Sequence, residues 1–424
     1  WRDLRPSLRE SLFLEAANLM GTQSDRLTEI LIDEVGSTVL KANYEVHHAQ
    51  AFVRGIAGEC RRLFGDTYRS DYPNVHSYCV RQPLGVVVAI SPFNFPLLLA
   101  VRKIGWAMAA GNCVILKPSE VSPVVALTLA EIFTQAGFPP GVLNVLPGDG
   151  ADLGDSLIVD RRVKKVTFTG STAVGKKIAA KCAANMKKFT LELGGKNPLI
   201  VLDDAELDYA VDTAAFSNFM HQGQVCMTGS RVIVEASIYD EFLKGFEKKV
   251  RGLRVGPPRD PSTVVGPLIR SEQPRKIQAC VDRAVVDGAR LLCGGRYKGN
   301  YYEPTIVADV TPEMDLFQTE CFGPVAAVTR ARDFDHALQL ANDSCYGLSA
   351  ALLTNDLEKA MSGSERLQAG MVHINGPTIR DEAVVPFGGV KDSGIGREGG
   401  QFALAEFTEL KWVTIQKGRQ GYPF

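Results

Sequence analysis

The sequence predicts an α/β fold built on parallel sheets flanked by helices. Two features predict it. Short apolar runs alternate with segments of helical periodicity, in one series from Gly85 to Leu193 and a second from Pro198 onward. Such alternation marks a parallel sheet with helices on both faces. Two glycine-rich turns, Gly148-Asp149-Gly150 with Gly154 and Gly170-Ser171-Thr172 with Gly175, each follow a strand-like run. A helix that opens after such a turn offers free backbone N–H groups to a pyrophosphate. Neither turn is the plain GxGxxG fingerprint, and each by itself reads first as a tight turn.

In chain order, residues 5–62 are mostly helical. Leu8, Leu12, Leu14, Ala17 and Leu19 recur at helical spacing, as do Leu27, Ile30, Leu31 and Val35. The polar stretch 64–78 reads as a loop or hairpin leaving the core. The first series then runs strand 85–90, helix 96–110 with Pro96 in its first turn, strand 113–116, helix 123–136, strand 142–146, strand 163–168, helix 172–184 and strand 190–193. The second runs strand 198–202, helix 205–219, strand 231–235, helices 237–250 and 272–288, strand 325–329, helix 334–342, strand 349–353, helix 356–366 and strand 371–374. A helix at 399–407 precedes a last strand at 410–416. The changeover at Gly194-Gly195 is the expected domain boundary.

A chain of 424 residues has room for two or three domains. With 45% hydrophobic and 22% charged residues it is an ordinary globular protein with a large core. Forty-seven basic against 48 acidic side chains argue against nucleic acid or an anionic membrane as a main partner. The nine cysteines contain no CxxC pair and do not form a disulfide framework, which points to a reducing, cytoplasmic setting. The six histidines lack metal-ligand spacing, so no metal is expected. No apolar run reaches membrane length. Residue 1 is Trp rather than Met, so the sequence is expected to lack its natural start, and a targeting segment cannot be read from it.

Chemistry concentrates at Cys226 and Glu192. Cys226 lies in Gly223-Gln224-Val225-Cys226 between a helix-like and a strand-like run, with Gly223 and Gly229 on either side. Glu192 lies in Leu191-Glu192-Leu193-Gly194-Gly195-Lys196. A thiol can form a covalent adduct with a carbonyl carbon, and a carboxylate can activate the water that hydrolyses it. A cysteine alone is most often a small buried hydrophobe. An asparagine such as Asn94, just before Pro96, is most often a helix N-cap. Lys117 and Glu120 follow strand 113–116 and read first as a solvated loop, and Glu320 reads as a surface glutamate.

These segments resemble the aldehyde dehydrogenase superfamily from about residue 16 to 413. The matching stretches are Ser91-Pro92-Phe93-Asn94-Phe95-Pro96, Lys117-Pro118-Ser119-Glu120, Phe168-Thr169-Gly170-Ser171-Thr172, Leu191 to Lys196, Gly223 to Cys226, Glu320-Cys321-Phe322-Gly323-Pro324 and Pro386-Phe387-Gly388-Gly389, in family order. The resemblance implies a Rossmann-type cofactor domain (1–61 and 84–193), an α/β catalytic domain (194–398) and small oligomerisation elements (62–83 and 408–418), with the family's N-terminal arm largely missing. It implies NAD as cofactor, with NADP possible. Lys117 and Glu120 would hold the adenine-side ribose, Gly170 and Ser171 the phosphates, Gly175 and Leu193 the packing beside them, and Glu320 and Phe322 the nicotinamide ribose and ring. Glu120 would repel a 2′-phosphate. Cys226 would be the nucleophile, Glu192 the base, and Asn94 an oxyanion donor together with the Cys226 N–H.

The resemblance is strongest to the branch acting on benzaldehyde, salicylaldehyde and vanillin. Phe95, Leu98, Leu99 and Arg102 share one helix face and would line a substrate tunnel, with residues 377–383 at its mouth. The alternative for Arg102 is a salt bridge within the protein. An aliphatic aldehyde or semialdehyde, acyl transfer to coenzyme A, a cofactor-free thiol esterase and a non-catalytic relative are the other readings. The Glu192, nucleotide-site and Cys226–Glu192–Asn94 matches argue against the last three in turn. The family's usual assembly implies a homodimer or homotetramer.

Overall fold

The computed structural model describes the backbone of residues 1–424 and the side chains of all but 151 and 152. Three helices open the chain, Pro6–Thr22, Ser24–Val35 and Val39–Glu59. The second ends at Gly36, whose left-handed backbone (φ 61°) turns the chain. The third starts at Thr38, whose hydroxyl accepts from the Lys41 N–H. Phe13, Phe52, Trp106 and Phe133 tie these helices into one core with helix Pro96–Ala109, every residue of which is buried.

A first sheet has the order Gly394–Ile395, Lys188–Glu192, Val163–Thr169, Val86–Ile90, Cys113–Lys117, Leu143–Val145. All its pairings are parallel except that of Gly394–Ile395. Strand Val86–Ile90 is central, with the strands that follow it on one side and the later ones on the other. The order therefore reverses between Val86–Ile90 and Val163–Thr169. Their carboxyl ends flank a crevice, where open α/β sheets bind ligands. Residues 394–395 return from far along the chain to edge this sheet, and helix Gly400–Glu406 packs on Pro96–Ala109.

A second sheet has the order Arg290–Cys293, Thr305–Ala308, Val325–Ala331, Arg231–Glu235, Pro198–Val201, Ser349–Leu353, Met371–Ile374, parallel apart from Arg290–Cys293. Arg231 is 1% exposed and donates to the carbonyls of Lys196, Leu340, Ala341 and Asp343. It thereby caps the orphan C-terminal carbonyls of helix Phe334–Asn342.

A third, antiparallel sheet joins Thr67–Arg69, Val75–Pro83 and Thr408–Gln416. The polar stretch after the first helices is thus a hairpin, and the last strand completes it. The sequence did not yield strands Arg290–Cys293 and Thr305–Ala308, nor the two-residue strands Tyr297–Lys298, Tyr301–Tyr302, Tyr346–Gly347, Val390–Lys391 and Gly394–Ile395. Runs of two to four residues carry too little period by themselves; the short strands Pro198–Val201 and Met371–Ile374 were readable from their place in the strand–helix alternation. The turn at Gly148-Asp149-Gly150 opens a helix, Gly150–Val159, so Gly154 is a helical residue and not part of that turn. Among the described residues no helix is long and apolar enough to cross a membrane.

Candidate active site

Cys226 is placed by a strained turn. His221, Gln222 and Gly223 follow one another with left-handed backbones (φ 50°, 57° and 69°). The two non-glycine members cost on the order of 1 kcal/mol each and persist only where surroundings over-determine them. The surroundings do. The Gln222 Nε2 donates to the Pro267 carbonyl at 3.0 Å, and a Cβ on Gly223 would lie 2.1 Å from the Gly323 carbonyl oxygen. The turn before Cys226 therefore presses on the Glu320-to-Pro324 loop. Beyond Cys226, its carbonyl accepts from the Asn197 Nδ2 at 2.8 Å.

Asn94 meets this turn from the crevice of the first sheet. It is 4% exposed, and its Nδ2 donates to the Gln224 carbonyl at 2.9 Å. The second amide proton is left for another acceptor. Asn94 is not the N-cap of the next helix: Phe95 holds that position, without a side-chain cap. The Leu97 and Leu98 N–H groups donate instead to Glu45.

Glu192 ends strand Lys188–Glu192. It is 3% exposed, and neither carboxyl oxygen has a hydrogen-bond partner among the described residues. Burial, followed by the nearby Glu398, pushes its carboxyl well above the usual range; Lys103, Arg102 and Arg397 offset this only in part. Burial, with Glu320 and Glu192, likewise pushes the Cys226 thiol up to about 12. Both shifts favour the neutral form, of the Cys226 thiol and of the Glu192 carboxyl alike.

Lys103 and Glu398 gave no signal in the sequence, whereas Arg102 reads there either as a tunnel residue or as a salt-bridge residue within the protein. Lys103 is fully buried and donates to Glu398 at 2.6 Å and to Thr167 at 3.1 Å. Burial raises the Glu398 pKa, but Lys103, Arg102 and Thr167 outweigh it and hold that carboxyl below its usual value. Arg102 is 1% exposed and ion-paired to Asp381, with its guanidinium against the rings of Phe387 (4.0 Å) and Phe52 (4.9 Å). Burial pushes Asp381 up to about 6 even so. One clue was present: a cation in a helix otherwise made of apolar and small residues needs a partner. The partner's position, 279 residues away, was not readable.

The remaining site candidates spread along the crevice. Ser171 caps helix Thr172–Ala184, and the Gly170 N–H donates to the Glu192 carbonyl at 3.0 Å. Gly175 packs on Leu193, where a Cβ would lie 2.4 Å from a leucine methyl. Glu320 accepts from the Gly195 N–H at 3.1 Å, and burial pushes it up to about 7. Phe322, also left-handed (φ 49°), meets the ring of Phe93 edge-on at 5.9 Å. Lys117 is buried with its ammonium on the Pro118 carbonyl at 2.9 Å. Glu120 is exposed and ion-paired to Arg270 from the second sheet's side of the molecule. Leu98 and Leu99 lie in the main core, and the Phe95 ring lies against the Lys41 ammonium (4.3 Å) and the His221 ring (5.6 Å). Among the described residues no cluster of His, Cys, Asp and Glu could hold a metal ion.

Comparison with known proteins supplies the context. Residues 1–413 match the model of the aldehyde dehydrogenase family. A vanillin dehydrogenase of Pseudomonas fluorescens is 42% identical over all of this chain and 88% of its own length. A mitochondrial succinate-semialdehyde dehydrogenase of Arabidopsis thaliana is 40% identical over 98% of this chain and 79% of its own. Among solved structures, a salicylaldehyde dehydrogenase from Pseudomonas putida G7 complexed with salicylaldehyde superposes with a TM-score of 0.98 at 38% identity, covering all of this chain and 88% of that one. A betaine aldehyde dehydrogenase from Staphylococcus aureus in complex with NAD+ gives 0.96 at 34%, covering 99% and 84%.

The neutral state of Cys226 has a direct test. Its alkylation by iodoacetamide in the cofactor-free protein, followed by mass spectrometry at that residue, should climb about tenfold per pH unit between roughly pH 6 and 9, because only the thiolate reacts. A plateau below about pH 8 would mean that the thiolate is already formed.

Proposed function

Since this chain belongs to the aldehyde dehydrogenase family and is an oxidoreductase acting on aldehydes, we propose that its substrate is an aromatic aldehyde, with hydroxylated rings handled well. One observation carries this choice over a semialdehyde. The cation in the expected tunnel, Arg102, is neutralised by Asp381 and lies between two phenylalanine rings. A carboxylate-bearing substrate would meet Asp381 as well as Arg102. A phenolic hydroxyl suits both. Nε and Nη1 of Arg102 and Oδ1 of Asp381 are buried and unpartnered among the described residues. A hydroxyl can donate to the carboxylate and accept from the guanidinium. The likeness to vanillin and salicylaldehyde dehydrogenases supports the same choice.

The steps assigned to this chain's residues are these. Glu192 takes the proton of Cys226, and the sulfur attacks the aldehyde carbon. The free amide proton of Asn94 and the Cys226 N–H hold the oxyanion of the adduct. A nicotinamide, when bound, supplies the hydride acceptor, and loss of hydride from the adduct leaves a thioester on Cys226. Once Glu192 has released to solvent the proton it took from Cys226, it takes a proton from the water that attacks the thioester and passes it to the departing sulfur, releasing the carboxylic acid and the thiol. The residues suit a dinucleotide. Gly170 and Ser171 stand at the start of a helix beside the switch point, Lys117 ends and Glu120 follows strand Cys113–Lys117, Glu320 accepts from the Gly195 N–H, and Phe322 meets the Phe93 ring. We take NAD as the preferred form, because Glu120 would face a 2′-phosphate. The sheets carrying these parts would be the cofactor unit and the catalytic unit. The hairpin and last strand, with Trp412 71% exposed, would join subunits as a homodimer or homotetramer.

Replacing Arg102 by leucine should cost a hydroxybenzaldehyde about tenfold or more in kcat/KM relative to benzaldehyde, the worth of one charge-assisted hydrogen bond. Equal losses on both would make Arg102 purely structural, and a wild-type preference for succinic semialdehyde would overturn the aromatic assignment. Glu192→Gln should give a burst of NADH on rapid mixing with little steady turnover, since glutamine cannot accept the proton of water. An unaltered steady-state rate would remove Glu192 from the hydrolytic step. Glu120→Gln should narrow the gap between NAD and NADP, since it removes a repulsion worth roughly 1 kcal/mol while leaving Arg270 in place. A wild-type preference for NADP would refute this role of Glu120.

A further inference from the structure

Helix Val39–Glu59 carries two charged side chains that lie in the core beneath the Asn94 turn. Lys41 is 2% exposed and Glu45 0%. They stand at i and i+4 and form a buried ion pair. Each also reaches beyond the pair. The Lys41 ammonium donates to the Ser37 hydroxyl at 3.1 Å and to the Asn94 carbonyl at 2.7 Å, so its three protons are all engaged. One oxygen of Glu45 accepts from the Leu97 N–H at 2.8 Å and the Leu98 N–H at 3.1 Å, in the first turn of helix Pro96–Ala109.

Those two N–H groups are what an N-terminal capping side chain ordinarily binds. The residues just before that helix are Asn94 and Phe95, and of the two only asparagine can cap. In this protein Asn94 does not do so. Its amide is turned away, onto the Gln224 carbonyl two residues before Cys226. A carboxylate from a different helix has taken over the capping role, and a lysine on the same helix holds the Asn94 backbone carbonyl. The carboxylate also sits at the positive end of the helix dipole, where a negative charge is favoured. Buried ion pairs are weak contributors to stability, and an apolar pair of similar volume serves as well or better. Stability alone therefore gives no reason for this pair.

We propose that Lys41 and Glu45 are positioning residues for the reaction: by capping helix Pro96–Ala109 and gripping the Asn94 carbonyl, they leave the Asn94 amide free to serve as the oxyanion donor beside Cys226. This rests on the oxyanion role proposed above for Asn94. Without Glu45, the cheapest partner for the freed Leu97 and Leu98 N–H groups is the Asn94 side chain itself, which would rotate away from the thiol. Without Lys41, the cap stays but the turn loses its anchor.

The test is a double-mutant cycle on the full-length protein, using benzaldehyde and NAD, with Asn94→Ala, Glu45→Ala, Lys41→Met and each of the latter two combined with Asn94→Ala. Loss of an oxyanion donor costs about 10²–10³-fold in kcat. Glu45→Ala should lower kcat by at least about tenfold and Lys41→Met by less, with KM little changed. Adding Asn94→Ala to Glu45→Ala should cost far less than Asn94→Ala costs alone, because the donor is already displaced. Two readouts should not move: NAD affinity by titration, and the rate of Cys226 alkylation by iodoacetamide, a reaction that forms no oxyanion. If the losses multiply in full in both combinations, the pair acts independently of Asn94 and the proposal is wrong. If NAD affinity or alkylation falls in parallel with kcat in Glu45→Ala and Lys41→Met alike, the pair is merely structural and the proposal is also wrong. If Asn94→Ala by itself leaves kcat unchanged, the oxyanion assignment fails first and takes the proposal with it.

Discussion

Burial of charge is the constraint from which the rest of this site follows. An ion removed from water must be paired or must become neutral. Of the cations buried close to the crevice, three have a carboxylate: Lys41 has Glu45, Arg102 has Asp381, and Lys103 has Glu398; Lys117 and Lys196 form no ion pair among the described residues, and burial lowers the pKa of both. Two of the three stand next to each other on helix Pro96–Ala109, and both act to lower the pKa of Glu398 and of Glu192. Cys226, half-buried, and Glu192, buried, stand without such a partner among the described residues. Each is therefore pushed toward its neutral form, the thiol up to about 12 and the carboxyl well above its usual range. An unpaired carboxyl in a dry place is a stronger base than one in water. That is the property a residue must have if it is to take a proton from a reluctant thiol and later from water.

Backbone geometry places these groups where they can meet. The strand order of the first sheet reverses between Val86–Ile90 and Val163–Thr169. Asn94 comes from the carboxyl end of the first of these strands and Gly170 from that of the second, while Glu192 ends the next strand over. Cys226 approaches from the other sheet through a turn that includes two strained non-glycine residues. The strain is held by contact with the Glu320-to-Pro324 loop, where Gly223 meets the Gly323 carbonyl without room for a side chain. That contact joins the turn before Cys226 to the loop that carries Glu320. Strain of this kind, localised at a site and supported from outside it, is where mechanism and stability are balanced against each other.

Much of this was legible in the chain itself. The alternation of strand and helix gave most elements to within a residue or two, because buried parallel strands are short runs of β-branched residues and their helices keep a 3.6-residue period. The stretches around Cys226, Glu192 and Asn94 were legible because the chemistry fixes residue types within a few positions of one another. Short elements such as Thr305–Ala308 were not, since four residues carry no period and no helix stands between this strand and the strands just before it. Asn94 itself is instructive. Local rules make an asparagine before a proline-initiated helix a cap, and they are defeated here by Glu45, about fifty residues earlier in the chain.

The sequence by itself determined the order of most elements, the family resemblance, and which thiol, carboxyl and amide are expected at the site. Each of these is encoded in near neighbours. Only the tertiary structure decided how those groups are charged and aimed. It put Asp381 on Arg102 and Glu398 on Lys103, paired Glu120 with Arg270, left Glu192 without a hydrogen bond, and moved the cap of helix Pro96–Ala109 from Asn94 to Glu45. Protonation and orientation depend on solvent exclusion and on partners far apart in the chain, and neither quantity exists until the chain has folded.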